Sequence, residues 1–251
     1  MNIVSYNCQN FKSNIACISD LIKSNDIIFL IEHWLAEEEA YLLNDLSTSH
    51  SIIFQSDFSF SSTIGKRRKG RPFGGKCWII SNRLRVKDYQ VLSNAVSRIE
   101  VEGDCIESAI FYDVWMPFDD GSFERYSALQ SNLSLIGADI EDRNDTNVLV
   151  IGDFNADLKR GKRFDIALSN FIFNNNLIDS FDIFPQKSSF TYSNGSYRSR
   201  IDHILVNLKA TENLLCSAIY TPPSGVSDHN AVSCSITNSN TCISTSELNV
   251  P

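Results

Sequence analysis

The chain has 251 residues, of which 43% are apolar, and it carries a formal net charge of −8 at pH 7. No apolar run approaches the roughly 18–20 residues that a membrane-spanning helix needs, and the start, MNIVSYNCQNF, lacks the basic residues and apolar core of a secretory signal. These features argue against a membrane protein and predict a soluble, intracellular protein with one large domain or two small ones.

Basic residues are unevenly distributed along this acidic chain. Half of the 22 lysines and arginines lie in three runs, KRRKGR at 66–71, LKRGKR at 158–163 and YRSR at 197–200. The net charge argues against a general nucleic-acid binder, whereas the clustering is compatible with one basic face. The alternative is that each run is a solvated loop, as most charge runs are.

Short apolar runs predict ten strands. In chain order they are NIVSY, DIIFLI, SIIFQ, KCWIIS, KDYQVL, CIESAIFYDVW, NVLVIG, RIDHILV, SAIYT and NAVSCSI. Helices are predicted over residues 11–24, roughly 121–140 and roughly 163–176, the second with apolar residues at steps of three and four. Because long blocks of strands are interrupted by only a few helices, we expect two packed sheets with helices outside them.

The C-terminal segment differs in composition from the rest of the chain. Beyond about residue 237 it is rich in serine, threonine and asparagine and has no apolar period. We therefore predict a domain over 1–237 and a flexible tail, or a linker to a following domain, over 238–251.

Polar or ionisable residues stand at the ends of five predicted strands. They are Asn7, Glu32, Asp153 with Asn155, Asp202 with His203, and Asp228 with His229. Sheet proteins build their sites at strand ends, so this set predicts a metal-assisted hydrolytic site. Each residue also has a structural interpretation, such as a helix cap for Asn7 or an Asx turn for Asp153-Phe154-Asn155.

The ordered set NIVSYN, LIEHW, VIGDFNA, SRIDHI and SDHNAV resembles the endonuclease/exonuclease/phosphatase superfamily, which includes AP endonucleases, deoxyribonuclease I and inositol polyphosphate phosphatases. Within it, EHWL, GRPFGG and GDFNADL most resemble the AP-endonuclease-like domain of LINE-type (non-LTR) retrotransposons. The resemblance implies an α/β fold of the deoxyribonuclease I type, a four-layer αββα sandwich. Its two mostly antiparallel sheets are flanked by helices, and the site lies at one end.

The same resemblance implies roles for the strand-end residues. Glu32 would bind a catalytic Mg²⁺, for which Mn²⁺ can substitute, and Asp228 would lie near the metal. Asp153 would orient and deprotonate the attacking water. Asn7 and Asn155 would position Asp153 and the phosphate through amide hydrogen bonds.

Further residues are implied to contact the substrate. Asp202 would hold His229 and keep it cationic against the scissile phosphate. Thr191 and Ser199 would bind DNA phosphate or fix the hairpin before Asp202. Trp115 stands where the family has a tyrosine whose hydroxyl touches the phosphate, and an indole can only donate or stack.

Two segments are predicted to contact DNA. In SFTYSNGSYRSRID, the pair Asn194-Gly195 predicts a β-hairpin turn, although an ordinary surface hairpin is the alternative. Arg71, in the basic loop KRRKGRPFGG, is predicted to contact phosphates without reading sequence. The hairpin side chains predicted to insert into the minor groove or stack are Tyr192, Tyr197, Arg198 and Arg200.

Together these features predict a Mg²⁺-dependent endonuclease that nicks double-stranded DNA and leaves a 3′-hydroxyl primer. We expect a monomeric domain that acts in the nucleus, with a reverse transcriptase in the same polyprotein. Gln9 stands where AP-endonuclease-like members carry an acid, which argues against a dedicated abasic-site enzyme. The alternatives are a phosphatase or phosphodiesterase for small substrates, and a non-catalytic nucleic-acid-binding domain.

Overall fold

Two six-stranded sheets lie face to face in the computed structural model, which describes residues 1–60, 73–104, 106–141, 143, 145–186 and 190–237. The first sheet has the strand order β13-β14-β1-β2-β4-β3. Its strands are β1 (Asn2–Asn7), β2 (Ile27–Ile31), β3 (His50–Gln55), β4 (Lys76–Ser81), β13 (Leu214–Tyr220) and β14 (Ala231–Ile236). Only β1 and β2 pair in parallel among these described strands.

The second sheet has the order β5-β6-β7-β8-β12-β9, and β7 and β8 pair in parallel. Its strands are β5 (Arg85–Val91), β6 (Val96–Gly103), β7 (Ile106–Trp115), β8 (Asn147–Asp153), β9 (Ile178–Asp179) and β12 (Asp202–Val206). Strands β10 (Tyr192–Asn194) and β11 (Tyr197–Ser199) form a separate hairpin.

Helices cover the outer faces of both sheets. They are α1 (Ile15–Ser24), α2 (Tyr41–Asn44), α3 (Phe123–Ile140), α4 (Arg163–Asn174), α5 (Ser180–Ile183) and α6 (Leu208–Asn213), with 3₁₀ turns at Phe11–Ser13 and Glu37–Glu39. Apolar residues of α1 pack on the first sheet, and those of α3 and α4 pack on the second. In the part of the chain that the structure describes, no helix combines the length and hydropathy needed to cross a membrane.

The continuous apolar runs are explained by strands that are covered on both faces. Along β2 every residue is buried. Because side chains alternate along a strand, Phe29 faces the other sheet, as does its neighbour Trp78 on β4 of the same sheet, whose ring centroid lies 4.9 Å away. Ile28 and Leu30 point the opposite way, toward α1. Fully burying one such side chain contributes about 1.5–3 kcal/mol, so both interfaces fix the position of β2.

The four-layer prediction is confirmed, and the ten predicted strands are observed with shifted ends. Strands β6 and β9 and the short helices α2, α5 and α6 are absent from the sequence-based prediction. Strand β6 contains the acidic segment IEVEG, in which Ile99 and Val101 face the core. Its charged residues point outward, where Arg98 pairs with Asp139 and Glu100 with Lys87. The predicted tail over 238–251 lies outside the described residues.

Candidate active site

The site begins with three neighbouring strand ends of the second sheet. Trp115 of β7 is paired directly with Asp153 of β8, which is paired with Asp202 of β12. Directly paired residues present their side chains on the same face, and here that face looks toward the other sheet. Phe154 points the opposite way, into the core beneath α3 and α4, as period-two geometry predicts.

Close packing of the β7 and β8 backbones fixes the position of Asp153. A Cβ on Gly152 would lie 2.2 Å from the carbonyl oxygen of Val114, and the φ angle of Gly152 is +137°. Only glycine adopts such a conformation readily. The Gly-Asp sequence therefore lets β8 approach β7 immediately before the carboxylate.

The first sheet supplies Asn7 from the end of β1 and Glu32 from the residue after β2. The Asn7 Nδ2 atom donates to Glu32 Oε1 at 2.9 Å and lies 3.3 Å from Asp153 Oδ2. One buried amide thus links carboxylates from both sheets. The structure places Asn7 in this position rather than at a helix cap.

Asp153 is buried at the base of a cavity and has polar and charged neighbours. Burial, together with the charge of Asp202, raises the pKa of Asp153 to about 7, although His229 acts in the opposite direction. The backbone N–H of Asn155 donates to Asp153 Oδ1 at 2.9 Å, whereas its side-chain amide donates to the carbonyl of Met116 at 2.8 Å. Asn155 therefore holds Asp153 through its backbone, which corrects the prediction that its side-chain amide does so.

His229 is held by Asp202. The Nδ1 atom of His229 lies 2.9 Å from Asp202 Oδ2, and both side chains are buried. Burial lowers the pKa of the imidazole, but the charge and hydrogen bond of Asp202, with smaller effects from Asp153 and Asp228, raise it to about 10. This geometry leaves the Nε2 side of a cationic ring facing the cavity that Asp153 and His229 line.

Thr191 fixes the backbone in front of Asp202. Its Oγ1 accepts hydrogen bonds from the N–H groups of Ile201 and Asp202, both at 3.0 Å, and its side chain is fully buried. Of the two roles predicted for Thr191, the structure shows the fixing of the hairpin. Ser199 is also buried, lines the cavity, and has an Oγ without a hydrogen-bond partner among the described residues.

The oxygen donors of the site fit a hard divalent cation. Asp153, Asp202 and His229 offer ligand atoms within 4.8 Å of one another, but Asp202 and His229 are already bonded to each other. The remaining carboxylates are Glu32, Asp153 and Asp228, and Asp228 Oδ1 is buried without a hydrogen-bond partner in the described structure. Carboxylate oxygens of this kind suit Mg²⁺ or Mn²⁺ rather than a soft metal.

Trp34 is a member of the site that the sequence reasoning missed. Its indole Nε1 donates to Glu32 Oε2 at 3.2 Å. Both residues have positive φ angles, +56° for Glu32 and +52° for Trp34. Such strained backbone concentrates at functional sites, and the spacing within EHWL was the available signal.

A cavity of about 900 Å³ opens above these residues. An aromatic wall borders it, in which the ring of Phe73 lies 5.9 Å from that of Trp34 and 6.1 Å from that of Trp115. Trp115 thus presents an aromatic ring where the family tyrosine presents a hydroxyl. Arg160 and Lys162 also line the cavity and were noted in the sequence only as part of a basic run.

The predicted hairpin is observed, and it borders the cavity on the His229 side. The Tyr192 ring lies 5.1 Å from the imidazole of His229. Tyr197 accepts a hydrogen bond at 2.8 Å from Arg160. Arg198 is exposed, with its guanidinium 4.5 Å above the Phe190 ring.

The observed position of Arg200 contradicts the prediction that its side chain contacts DNA. Its side chain is buried and lies 3.1 Å from Asp179 Oδ2, with the guanidinium over the Phe181 ring. A buried ion pair of this kind supports the fold, so Arg200 is unavailable to DNA. Arg71 lies outside the described residues, and its predicted role stays a prediction.

Comparisons with known proteins identify the fold and the family. Among curated proteins, no sequence matches the chain. The 3′ phosphatase NExo from Neisseria, solved with a product DNA hairpin, has 14% identity and a TM-score of 0.73, with 95% of this chain and 100% of that chain covered. The catalytic domain of Xenopus laevis APE2 has 18% identity and a TM-score of 0.73, with 94% and 92% covered.

A third similar structure is the AP endonuclease LMAP from Leishmania major, with 12% identity, a TM-score of 0.74, and 94% of this chain and 87% of that chain covered. At these identities the structural matches establish the fold. The sequence itself matches the profile of the Endonuclease/Exonuclease/phosphatase family over residues 4–229. That match includes Asn7, Glu32, Asp153, Asp202 and His229, and the chain belongs to this family.

Proposed function

We propose that the chain is a Mg²⁺-dependent DNA endonuclease that nicks one strand and leaves a 3′-hydroxyl end. The observation that carries this proposal is the meeting of Asn7, Glu32, Asp153, Asp202 and His229 at the facing ends of two sheets. Phosphodiester hydrolysis requires a base that activates the attacking water and positive charge that stabilises the phosphate in the transition state. The cavity offers a buried carboxylate for the first role and a buried imidazolium for the second.

Asp153 is the proposed base. Its carboxylate is fixed by the Asn155 backbone N–H and by Asn7. In the proposed reaction a water oxygen attacks phosphorus while its proton passes to Asp153. The bond from phosphorus to the 3′ oxygen breaks, and the departing 3′ alkoxide takes a proton from solvent, which leaves a 3′-hydroxyl and a 5′-phosphate.

His229 is the proposed phosphate-binding residue. Asp202 occupies Nδ1, and Asp228 Oδ1 lies 3.8 Å from Nε2, beyond hydrogen-bond distance. The Nε2–H group can therefore donate to a non-bridging phosphate oxygen. Glu32, with Asp228 nearby, would hold the divalent cation, whose positive charge supplies further stabilisation of the transition state. Asn7 and Trp34 orient the Glu32 carboxylate through their N–H groups.

The cavity favours DNA over a small phosphorylated molecule. It is open and large, and around the carboxylates of the site it is lined by Arg125, Arg160 and Lys162 together with aromatic side chains. Cations spread along a groove suit an extended polyanion. The similar NExo structure, which holds a DNA hairpin, also supports this substrate class.

We further propose that the nick primes reverse transcription in a LINE-type retrotransposon. The motifs EHWL and GDFNADL support this origin. In that setting the monomeric domain acts in the nucleus on double-stranded DNA, beside a reverse transcriptase in the same polyprotein.

A plasmid assay tests the proposed activity. Supercoiled DNA is incubated with Mg²⁺ or EDTA and with the wild type, Asp153→Ala or His229→Ala; Asp20→Ala, an exposed change on α1, is the control. We expect Mg²⁺-dependent nicks that a DNA polymerase can extend, and a loss of at least about 100-fold in both site variants. Circular dichroism verifies that the variants are folded.

Each other outcome selects a different function. Nicks in EDTA, or nicks that a polymerase cannot extend, contradict the proposal. Release of phosphate from a 3′-phosphorylated hairpin or from a phosphoinositide without nicking supports a phosphatase. DNA binding with no hydrolysis in any arm supports a non-catalytic domain.

A further inference from the structure

One lobe of the cavity lies outside the acid and histidine cluster. It is bounded by helix α3, by the turn between β5 and β6, and by the loop that follows β7. Its lining combines small, aromatic and amide side chains, namely Ser93, Ala95, Phe118, Ala128 and Asn132. None of the roles proposed for nicking uses these residues.

The amide of Asn132 has a defined orientation. The Ser93 Oγ accepts hydrogen bonds from the backbone N–H groups of Ala95 and Val96, both at 3.1 Å. Its single proton must therefore go to Asn132 Oδ1, which lies 2.7 Å away. Oδ1 is thereby engaged, and the Nδ2 donors have no hydrogen-bond partner among the residues that the structure describes.

This unpartnered donor is accessible at the cavity. Asn132 is only 9% exposed and lines the cavity. A polar group of this kind, facing a cavity, indicates a site for a ligand that carries an acceptor.

The rest of the lobe suits a flat ring. Phe118 is 57% exposed, a large fraction for an aromatic side chain, and the guanidinium of Arg125 lies 5.3 Å from its ring centroid. Ala95 and Ala128 line the lobe without filling it. An aromatic face beside small side chains leaves room for another ring to stack.

The lobe lies close to the proposed base. The Trp115 N–H donates to the carbonyl of Ala95 at 2.9 Å, and Trp115 is paired with Asp153. Because neighbouring strands are about 4.8 Å apart, Ala95 is two strand steps, about 10 Å, from Asp153. A nucleotide next to the scissile phosphate can span this distance.

We propose that this lobe is a pocket for one unstacked nucleobase of the substrate, adjacent to the scissile phosphate. The base would stack on Phe118 and accept a hydrogen bond from Asn132 Nδ2. The inference rests on the proposed function for its substrate class, since it assumes a nucleic acid. It implies that the protein prefers strands with an unpaired base at this position.

Equilibrium binding without hydrolysis tests the pocket. The full chain in EDTA is titrated with a labelled single-stranded oligonucleotide and with a strand of equal length built from abasic tetrahydrofuran residues. The pocket variants are Asn132→Leu and Phe118→Leu. Their matched controls are Gln130→Leu, on the exposed side of α3, and Phe173→Leu, which is 82% exposed on α4.

We expect each pocket variant to weaken binding of the base-bearing strand about tenfold, because base–aromatic stacking contributes about 1–3 kcal/mol. Binding of the abasic strand should change less than about twofold, and the controls should leave both affinities unchanged. Equal losses for the two strands, no loss, or no preference for the base-bearing strand would overturn the pocket.

The binding assay and the plasmid assay test the pocket and the nicking activity separately. Mg²⁺-dependent nicking with no base-dependent loss in the pocket variants retains the proposed activity and rejects the pocket. A base-dependent loss in a protein that fails to nick retains the pocket and rejects the activity. Thermal unfolding of the pocket variants, compared with that of their controls, separates weaker binding from a destabilised fold.

Discussion

Among single residues, Glu32 has an unusual pair of neighbours, because two side chains donate N–H groups to its two carboxylate oxygens. One is the Trp34 indole, so Trp34→Phe removes a donor and keeps a ring. A hydrogen bond to a charged group contributes about 1.5–3 kcal/mol, so we expect the Mg²⁺ concentration for half-maximal nicking to rise about tenfold. The nicking rate at saturating Mg²⁺ should change less.

A direct measurement and a matched variant accompany this prediction. Mn²⁺ binding followed by electron paramagnetic resonance should weaken in parallel with the Mg²⁺ titration. Trp78→Phe also loses an indole donor, to Ser97 at 3.4 Å, but in the core. It should lower stability and leave the metal dependence unchanged; a Trp34→Phe protein with wild-type Mg²⁺ dependence would disprove the role of Trp34.

His203 is a buried histidine whose contacts require a charge. Its Nδ1 lies 2.8 Å from Asp179 Oδ2 and its Nε2 lies 2.9 Å from the carbonyl of Ala156. Both partners accept hydrogen bonds, so both ring nitrogens must carry protons. Burial lowers the pKa of His203, but Asp179 raises it above its ordinary value; burial raises the pKa of Asp179, but His203 and Arg200 bring it below its ordinary value.

These shifts set the pH range in which the pair stabilises the fold. The raised pKa of His203 gives stability that is complete below about pH 6.5 and is lost as pH rises through the folded value. The lowered pKa of Asp179 gives stability that is present above about pH 3.9 and is lost at lower pH. The pair should therefore contribute most between about pH 4 and 6.5.

We expect His203→Gln to lower the free energy of unfolding by about 3–5 kcal/mol at pH 6, because it leaves Asp179 buried with one partner fewer. The loss should be smaller at pH 9, where the wild type has also lost part of this contribution. Urea unfolding at both pH values measures the difference. His50→Gln, which changes a histidine without a carboxylate partner in the described structure, is the control, and an equal loss at both pH values would contradict the assignment.

Residues that end a strand could be predicted, whereas contacts between distant segments could not. Asn7, Asp153 and Asp202 were visible because each follows or begins an apolar run. The Asn132 amide acquires its orientation from Ser93, 39 positions away. Arg200 was misassigned because its partner, Asp179, lies on β9, 21 positions earlier in the chain.

Among the elements, the hairpin β10–β11 has a base that supports the site and an exposed tip. Its base is tied to the site, since Tyr192 forms a bridge with His229 and the Ser193 N–H donates to the carbonyl of Asp228. Its tip, with Tyr197 and Arg198, is exposed. Deleting the whole hairpin would disturb His229, so only the tip can be changed without altering the catalytic residues.

We therefore expect Tyr197→Ala with Arg198→Ala to shift the positions of nicks and to change the overall rate less than about tenfold, since tip side chains select the site and His229 remains supported. Sequencing of nick positions on a mixed-sequence plasmid measures the shift. Lys209→Ala with Leu208→Ala, an exposed pair on α6, should leave the pattern unchanged. An unchanged pattern in the tip variant would refute a role in target selection.

For the whole molecule, the order of strands could not be predicted from periodicity. Apolar runs identify strands, but the parallel pairs β1–β2 and β7–β8 depend on which faces pack together. The αββα layering followed from the resemblance and from strand and helix counts. The positions of the two sheet ends, which create the site, emerge only from the packed core.

The distribution of charge over the whole molecule yields a last prediction. The chain has a net charge of −8, yet the run at 66–69 carries four positive charges. The run ends six residues before Gly75, whose carbonyl accepts a hydrogen bond at 2.9 Å from the N–H of Glu32. Phe73, two positions after Arg71, already lines the cavity. Long-range repulsion from the acidic body is screened at physiological salt, so a local basic segment can still bind phosphates.

Neutralising residues 66–69 to glutamine should weaken binding to duplex DNA at low salt, by a similar factor for every sequence, because phosphate contacts carry no sequence information. The slope of log affinity against log salt should fall by about 0.9 for each phosphate that the variant no longer neutralises. Fluorescence anisotropy over a salt series measures both. A control of equal net charge neutralises exposed residues that lie away from the cavity in the described structure, namely Lys23, Arg83, Arg85 and Lys209. If the two variants show equal reductions in affinity and slope, net charge rather than the position of the basic run controls DNA binding.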